Sequence, residues 1–137
     1  MSKYKAEKVV LDGIRFDSKD EARYYLYLKK LKSESKIENF ELQPKYELQP
    51  KFKKNAKSFL PVFYIADFLI YHLDGSLEVI DIKGMATETA KLKRKLFEYR
   101  YPDLNLSWLI RSLKYSETGW IDCDELKKIR RENKKCK

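Results

Sequence analysis

The chain has 137 residues, 43% of them hydrophobic and 14% aromatic, with a formal net charge of +9. That composition can build a core and excludes a disordered polyelectrolyte. The longest apolar run is broken by Asp67 and is too short to cross a bilayer, so no membrane partner is expected.

The basic excess favours a polyanionic partner, nucleic acid first; the plainer alternative is a soluble basic protein. Cys123 and Cys136 form neither a disulfide framework nor a zinc spacing. No signal peptide stands out behind Met1-Ser2-Lys3, and a cytoplasmic location is expected.

Taken in chain order, Val9-Val10-Leu11, Asp12-Gly13 and Ile14-Arg15-Phe16 predict a small hairpin. Ser18 opens a helix to about Ser33, with Ser18-Lys19-Asp20-Glu21 as a capping box. Lys36 to Leu48 reads as a strand interrupted at Pro44, an edge or a bulge. Within it Glu41-Leu42-Gln43-Pro44-Lys45-Tyr46 is followed by the similar Glu47-Leu48-Gln49-Pro50-Lys51-Phe52, too few copies for a solenoid.

Lys51 to Lys57 carries four lysines and reads as a solvated loop. Strands are expected at Pro61–Tyr71 and Leu77–Lys83, then a basic amphipathic helix from about Ala86 to Arg100, a strand at Leu104–Arg111, and a last helix capped by Asp122 or Asp124. The order gives an α/β or α+β sandwich around a mixed sheet.

Pro61–Tyr71 is apolar on both alternating faces except at Asp67. An isolated carboxylate there would cost several kcal/mol or stay protonated, so a cation or a basic side chain should meet it. The following strand carries Asp81-Ile82-Lys83, with Asp81 and Lys83 on one face.

Whether Asp67 joins them depends on the turn at Asp74-Gly75. A two-residue loop sets Asp67 opposite Ile82, on the wrong face. A three-residue loop, Leu73-Asp74-Gly75, pairs His72 with Ser76 and sets Asp67 opposite Asp81. We expect the three-residue loop. Asp67, Asp81 and Lys83 are then the residue types that hydrolysis of a phosphodiester requires: carboxylates for a hard divalent cation, and a lysine for the attacking water and the anionic transition state.

Glu21 has two readings, a capping glutamate or a member of this site, since Tyr24, Tyr25, Leu28 and Leu31 flank it on the helical wheel. Lys95, expected on a buried stripe with Leu92, Leu96 and Tyr99, either reaches the site or snorkels past its stem.

Glu21 in a first helix, Asp67 in a strand after Pro61, and Asp81-Ile82-Lys83 in the next strand resemble the PD-(D/E)XK nuclease superfamily. More closely, Gly13-Ile14-Arg15-Phe16-Asp17-Ser18-Lys19-Asp20-Glu21-Ala22, Ala66-Asp67-Phe68 and Val79-Ile80-Asp81-Ile82-Lys83-Gly84 resemble a small phage-encoded endonuclease-like family. Two departures stand out: Ala66 replaces the proline before Asp67, and Asp81 replaces the commoner glutamate.

The resemblance implies one restriction-endonuclease-like αβββαβ domain over residues 1–137, with its core at about 8–111 and a basic C-terminal helix and tail at about 122–137. It implies that Asp67, Asp81 and the Ile82 backbone carbonyl ligate Mg²⁺ or Mn²⁺. Lys83 would act on the attacking water, and Glu21 would support a second metal or the water network. Gln43 and Lys95 are accessory candidates.

Lys51, Lys53, Lys54, Lys91, Arg94 and Arg100 are candidate DNA contacts through phosphate. The activity expected is a metal-dependent DNA endonuclease, structure-specific or junction-resolving, and a branched substrate favours a homodimer. The alternative is a non-catalytic DNA-binding protein on a degenerate nuclease fold.

Overall fold

The computed structural model describes residues 8–135; Cys136 and the end of the basic tail lie outside the described residues. The N-terminal hairpin forms as its sequence suggests, β1 (Val9–Leu11) with β2 (Ile14–Phe16). Asp12 and Gly13 both take positive φ, 52° and 74°, as a two-residue hairpin turn requires. Helix α1 (Lys19–Ser33) begins where Ser18 Oγ accepts the Glu21 N–H at 3.1 Å. Its buried face is Ala22, Tyr24, Tyr25 and Leu28.

The chain after α1 builds one long antiparallel ribbon. One side is β3 (Asn39–Leu42), β4 (Lys45–Gln49) and β5 (Phe52–Lys54); the other is β6 (Lys57–Phe59), β7 (Val62–Ile65) and β8 (Phe68–Tyr71). Leu42 pairs with Phe68, Lys45 with Ile65, and Phe52 with Phe59. Two expectations are corrected here. Lys51–Lys57 is not a loop, because Asn55 and Ala56, at φ 52° and 60°, turn it into a hairpin tip. Pro61–Tyr71 is two strands, not one.

The split has a local cause. Gln43 takes φ 50° and Pro44 has no N–H to give, so the ribbon bends there. Across from them Ala66 N donates to Pro44 O at 3.0 Å and Gln43 N donates to Asp67 O at 2.9 Å. Below the bend the ribbon is part of the central sheet; above it, β4 and β7 pair only with each other.

The chain continues through β9 (Leu77–Ile82), α2 (Glu88–Arg100), β10 (Asn105–Arg111), β11 (Trp120–Asp122) and α3 (Cys123–Lys135). Short β11 carries no strand signal that we read in the sequence. The central sheet is mixed, in the order β11-β10-β9-β8-β3, with β9 and β10 parallel and the other neighbours antiparallel. Helix α2 is the crossover that a parallel pair needs.

One face of the sheet packs Phe68, Ile70, Ile80 and Ile82 under Tyr24, Tyr25 and Leu28 of α1. The other packs Leu69 and Val79 against Leu48, Tyr64 and Phe97, from β4, β7 and α2. Period-two alternation along β8 and β9 thus feeds two cores, one per face.

Helix α2 corrects a third expectation. It seats through Phe97, fully buried, while Leu92, Leu96 and Tyr99 are exposed at 57%, 41% and 87%. Lys95, two residues from Phe97, projects from the opposite side of the helix into solvent. Among the described residues no helix is long and apolar enough to cross a membrane.

Candidate functional site

The turn between β8 and β9 decides the site. His72 N donates to Ser76 O at 2.9 Å and Gly75 N to His72 O at 3.0 Å, with Gly75 at φ +88°. This is the three-residue bulged turn, and it sets Phe68 against Ile80 and Tyr71 against Leu77. The same register carried one step further brings Asp67 to Asp81, as expected.

Asp67 lies at the bend, just before β8 begins; its N–H still donates to Ile80 O at 3.1 Å, and there the regular ladder beside β9 ends. Its carboxylate takes over: Oδ2 accepts the Ile82 N–H at 2.8 Å. In return Asp81 Oδ1 accepts the Asp67 N–H at 2.9 Å. Each acid is thereby held by the backbone that carries the other or its neighbour. Asp81 is the buried charged residue of the core, 3% exposed.

Its Oδ2 accepts the hydroxyl of Tyr64, and that hydroxyl oxygen accepts the Trp108 Nε1–H at 2.8 Å. Lys83 Nζ stands 3.6 Å from the same Oδ2 and 5.2 Å from the centre of the Trp108 ring. Tyr64 and Trp108 are not among the expected site residues. Trp108 faces Asp81 across the parallel β9–β10 pair, and Tyr64 arrives from the bent ribbon. Neither relation is written in local sequence.

The electrostatics follow from burial. Asp67 is pushed up to about 8, first by loss of water, then by the Asp81 charge and by Glu21, with the Ile82 N–H and Lys83 opposing. Asp81 is also raised by burial, against which Lys83, Tyr64 and the Asp67 N–H pull it down. Glu21 is half-buried and raised by burial and by Asp17, with a smaller contribution from Asp81. The Asp17 backbone and Ser18 pull it back down, so Glu21 sits at the capped start of α1 and belongs to the acidic field.

Glu21, Gln43 and Asp67 share the lining of a cavity of about 80 Å³ with Ile14 and Phe16. Of the expected residues, Glu21, Gln43, Asp67, Asp81 and Lys83 therefore converge with Ile82, and Lys95 does not join them.

Among the described residues no three His, Cys, Asp or Glu side chains gather closely enough to hold an ion by themselves. Mg²⁺ commonly rests on one or two carboxylates and keeps several waters. Asp67 and Asp81 fit that donor set: two facing acids, Asp81 buried and Asp67 partly so, and a cation would relieve the repulsion that the Asp81 charge exerts on Asp67.

The expected DNA contacts fall in three places. Lys51, Lys53 and Lys54 are on the ribbon's exposed tip. Lys91 and Arg94 line a cleft of about 360 Å³ beside Lys83, together with Trp108, Lys127 and Arg130. Arg94 Nη1 reaches Asp124 Oδ2 of α3 at 3.7 Å and its guanidinium lies 4.7 Å from the Trp108 ring centre. Arg100 instead meets Glu47 Oε1 at 4.0 Å, at the base of the ribbon.

No curated protein and no solved structure matches the chain. Residues 1–117 match the family described as "Protein of unknown function (DUF1064)", and the chain belongs to that family.

Proposed function

We propose that this protein is a metal-dependent DNA endonuclease of the PD-(D/E)XK type. The observation that carries the reading is the facing of Asp67 and Asp81 with Lys83 Nζ 3.6 Å from Asp81 Oδ2. The order α1, β3, β8, β9, α2, β10, once the ribbon's outer part is set aside, supports it as the helix–three strands–helix–strand order that the resemblance implies.

In this reading Asp67, Asp81 and the Ile82 carbonyl hold Mg²⁺ or Mn²⁺. When bound, that cation supplies Lewis acidity, drawing charge from the phosphate and lowering the pKa of water. Tyr64 fixes the Asp81 carboxylate through its hydroxyl, leaving Oδ1 on the Asp67 N–H. Lys83 orients the attacking water and offsets the negative charge that grows on the phosphate. Glu21 adds a third acid at the margin. A branched or otherwise structured DNA is the proposed substrate, and a homodimer would cut it twice.

The test is cleavage of labelled duplex, single-stranded, flap and four-way-junction DNA in Mg²⁺, Mn²⁺ or EDTA, beside Asp81→Ala. Metal-dependent cutting that Asp81→Ala abolishes is expected. Binding to every substrate with no cutting under either metal contradicts the reading.

That second outcome describes a non-catalytic DNA-binding protein. One observation favours it: Asp81 already has Tyr64, Lys83 and the Asp67 N–H as partners, and needs no ion to be satisfied.

A further inference from the structure

The outer part of the ribbon is built as a separate basic arm. From Lys51 to Phe59 it carries four lysines and no acid. Residues 51–58 are all exposed, and β5 and β6 pair only with each other.

The arm's register is continuous with its base. Gln49 pairs with Val62 and Phe52 with Phe59, so the intervening register sets Pro50 opposite Pro61. Neither proline has an N–H for the ladder. The two therefore cut the ribbon at one level, separating a base seated on α2 from a free tip. The sequence repeat finds its meaning here: its first Gln-Pro, Gln43-Pro44, marks the bend at the site, and its second, Gln49-Pro50, marks the break below the tip.

The tip is nevertheless ordered. Phe52 and Phe59 stack face to face, with centroids 4.6 Å apart and planes 6° apart. Beyond them Lys54 stands directly opposite Lys57. Like charges in directly opposed positions destabilise a hairpin, and no carboxylate of the arm offsets them. At about 3.3 Å per residue, the Asn55-Ala56 turn lies on the order of 20 Å beyond the Gln49–Val62 pair.

We propose that this arm is a β-ribbon that enters the major groove of duplex DNA, its lysines meeting the phosphates that flank the groove. The groove, about 12 Å wide, admits a two-stranded ribbon. The missing counter-charge for Lys53, Lys54 and Lys57 is then the phosphate backbone. The ribbon's other bend carries Asp67, so one continuous element links the gripped duplex to the acidic site. The inference rests on the proposal that DNA is the substrate and adds how a double-stranded part of it is held.

The experiment compares the full chain with Lys53→Gln/Lys54→Gln/Lys57→Gln and with a control of equal charge, Lys30→Gln/Lys36→Gln/Lys114→Gln, all exposed positions. Affinity for a labelled duplex is measured in EDTA over a range of salt, with methylation protection of guanine N7 as the reporter of the major groove. The arm variant should bind at least tenfold more weakly. Its salt slope should fall by close to one per lysine removed, and its guanine protection should vanish, while the control keeps its protection.

Equal affinity, slope and protection in the arm variant and the control overturn the arm, whatever the cleavage assay shows. Absence of duplex binding by the unmodified chain overturns it too. Loss of binding in the arm variant, in a protein that cuts nothing with either metal, keeps the arm and removes the nuclease.

Discussion

Asp67 and Asp81 are each secured by a main-chain N–H, and the Asp81 charge disfavours ionisation of Asp67. For Asp67 the balance gives a folded-state pKa of about 8 against an ordinary value near 4. The folded protein thus retains a proton that the unfolded chain releases. The contribution to stability is whole below about pH 4 and is lost as pH rises toward 8.

Asp67→Asn keeps an oxygen for the Ile82 N–H and removes this penalty. It should be the more stable protein by a few kcal/mol at pH 8, with the gap shrinking toward pH 4. Paired urea unfolding curves at several pH values measure it, and a gap that widens on acidification contradicts it. Lys83 does not lose its partner in this variant, since its ion pair is with Asp81.

Tyr64→Phe acts on the second acid. It deletes the hydroxyl that lowers Asp81 and leaves the buried Trp108 N–H without its acceptor. A loss of about 1–3 kcal/mol is expected in thermal unfolding. The acid limb of a cleavage–pH profile should move to higher pH, because Asp81 then gives up its proton less readily.

At the scale of elements, the bulged turn places the acids. A methyl group added at Gly75, φ +88°, would meet nothing within 4 Å, so Gly75→Ala carries only a backbone cost. About 1 kcal/mol, with register and metal response intact, is the expected result in denaturant melts. Loss of several kcal/mol would show that this turn does more than close the hairpin.

How much is legible in the sequence differs by element. The N-terminal hairpin, the cap at Ser18, and the register that joins Asp67 to Asp81 all depend on nearby residues and are readable. The Lys51–Lys57 hairpin is not, because its lysines obscure the Phe52–Phe59 pair and its turn is Asn-Ala rather than Asn-Gly. The α2 seat misleads because Leu92, Leu96 and Tyr99 form the more apolar stripe, yet Phe97 alone meets Tyr46, Tyr64 and Tyr101. Tertiary contact, not periodicity, chooses the face. The Trp108–Tyr64–Asp81 chain needs a parallel register and a bent ribbon, which have no short-range signal.

At the scale of the whole molecule, the basic side chains of the described residues gather on an arm, in a cleft and on the exposed faces of helices. Binding through such surfaces releases counterions, so affinity for DNA should fall steeply between low and physiological salt. Lys127→Glu/Arg130→Glu tests the cleft, which α3 helps to wall. Weaker binding and slower cutting with an unchanged melting temperature are expected, since both side chains are exposed.

The most direct measurement takes one preparation each of the unmodified chain and Asp67→Asn, and follows single-turnover cleavage of labelled DNA in Mn²⁺ with melting temperatures from the same samples. The unmodified chain should cut, and Asp67→Asn should fail to cut while melting higher in the absence of metal. If neither cuts and Asp67→Asn melts lower, the Asp67 carboxylate is a structural part of a binding protein, and the proposed nuclease is contradicted.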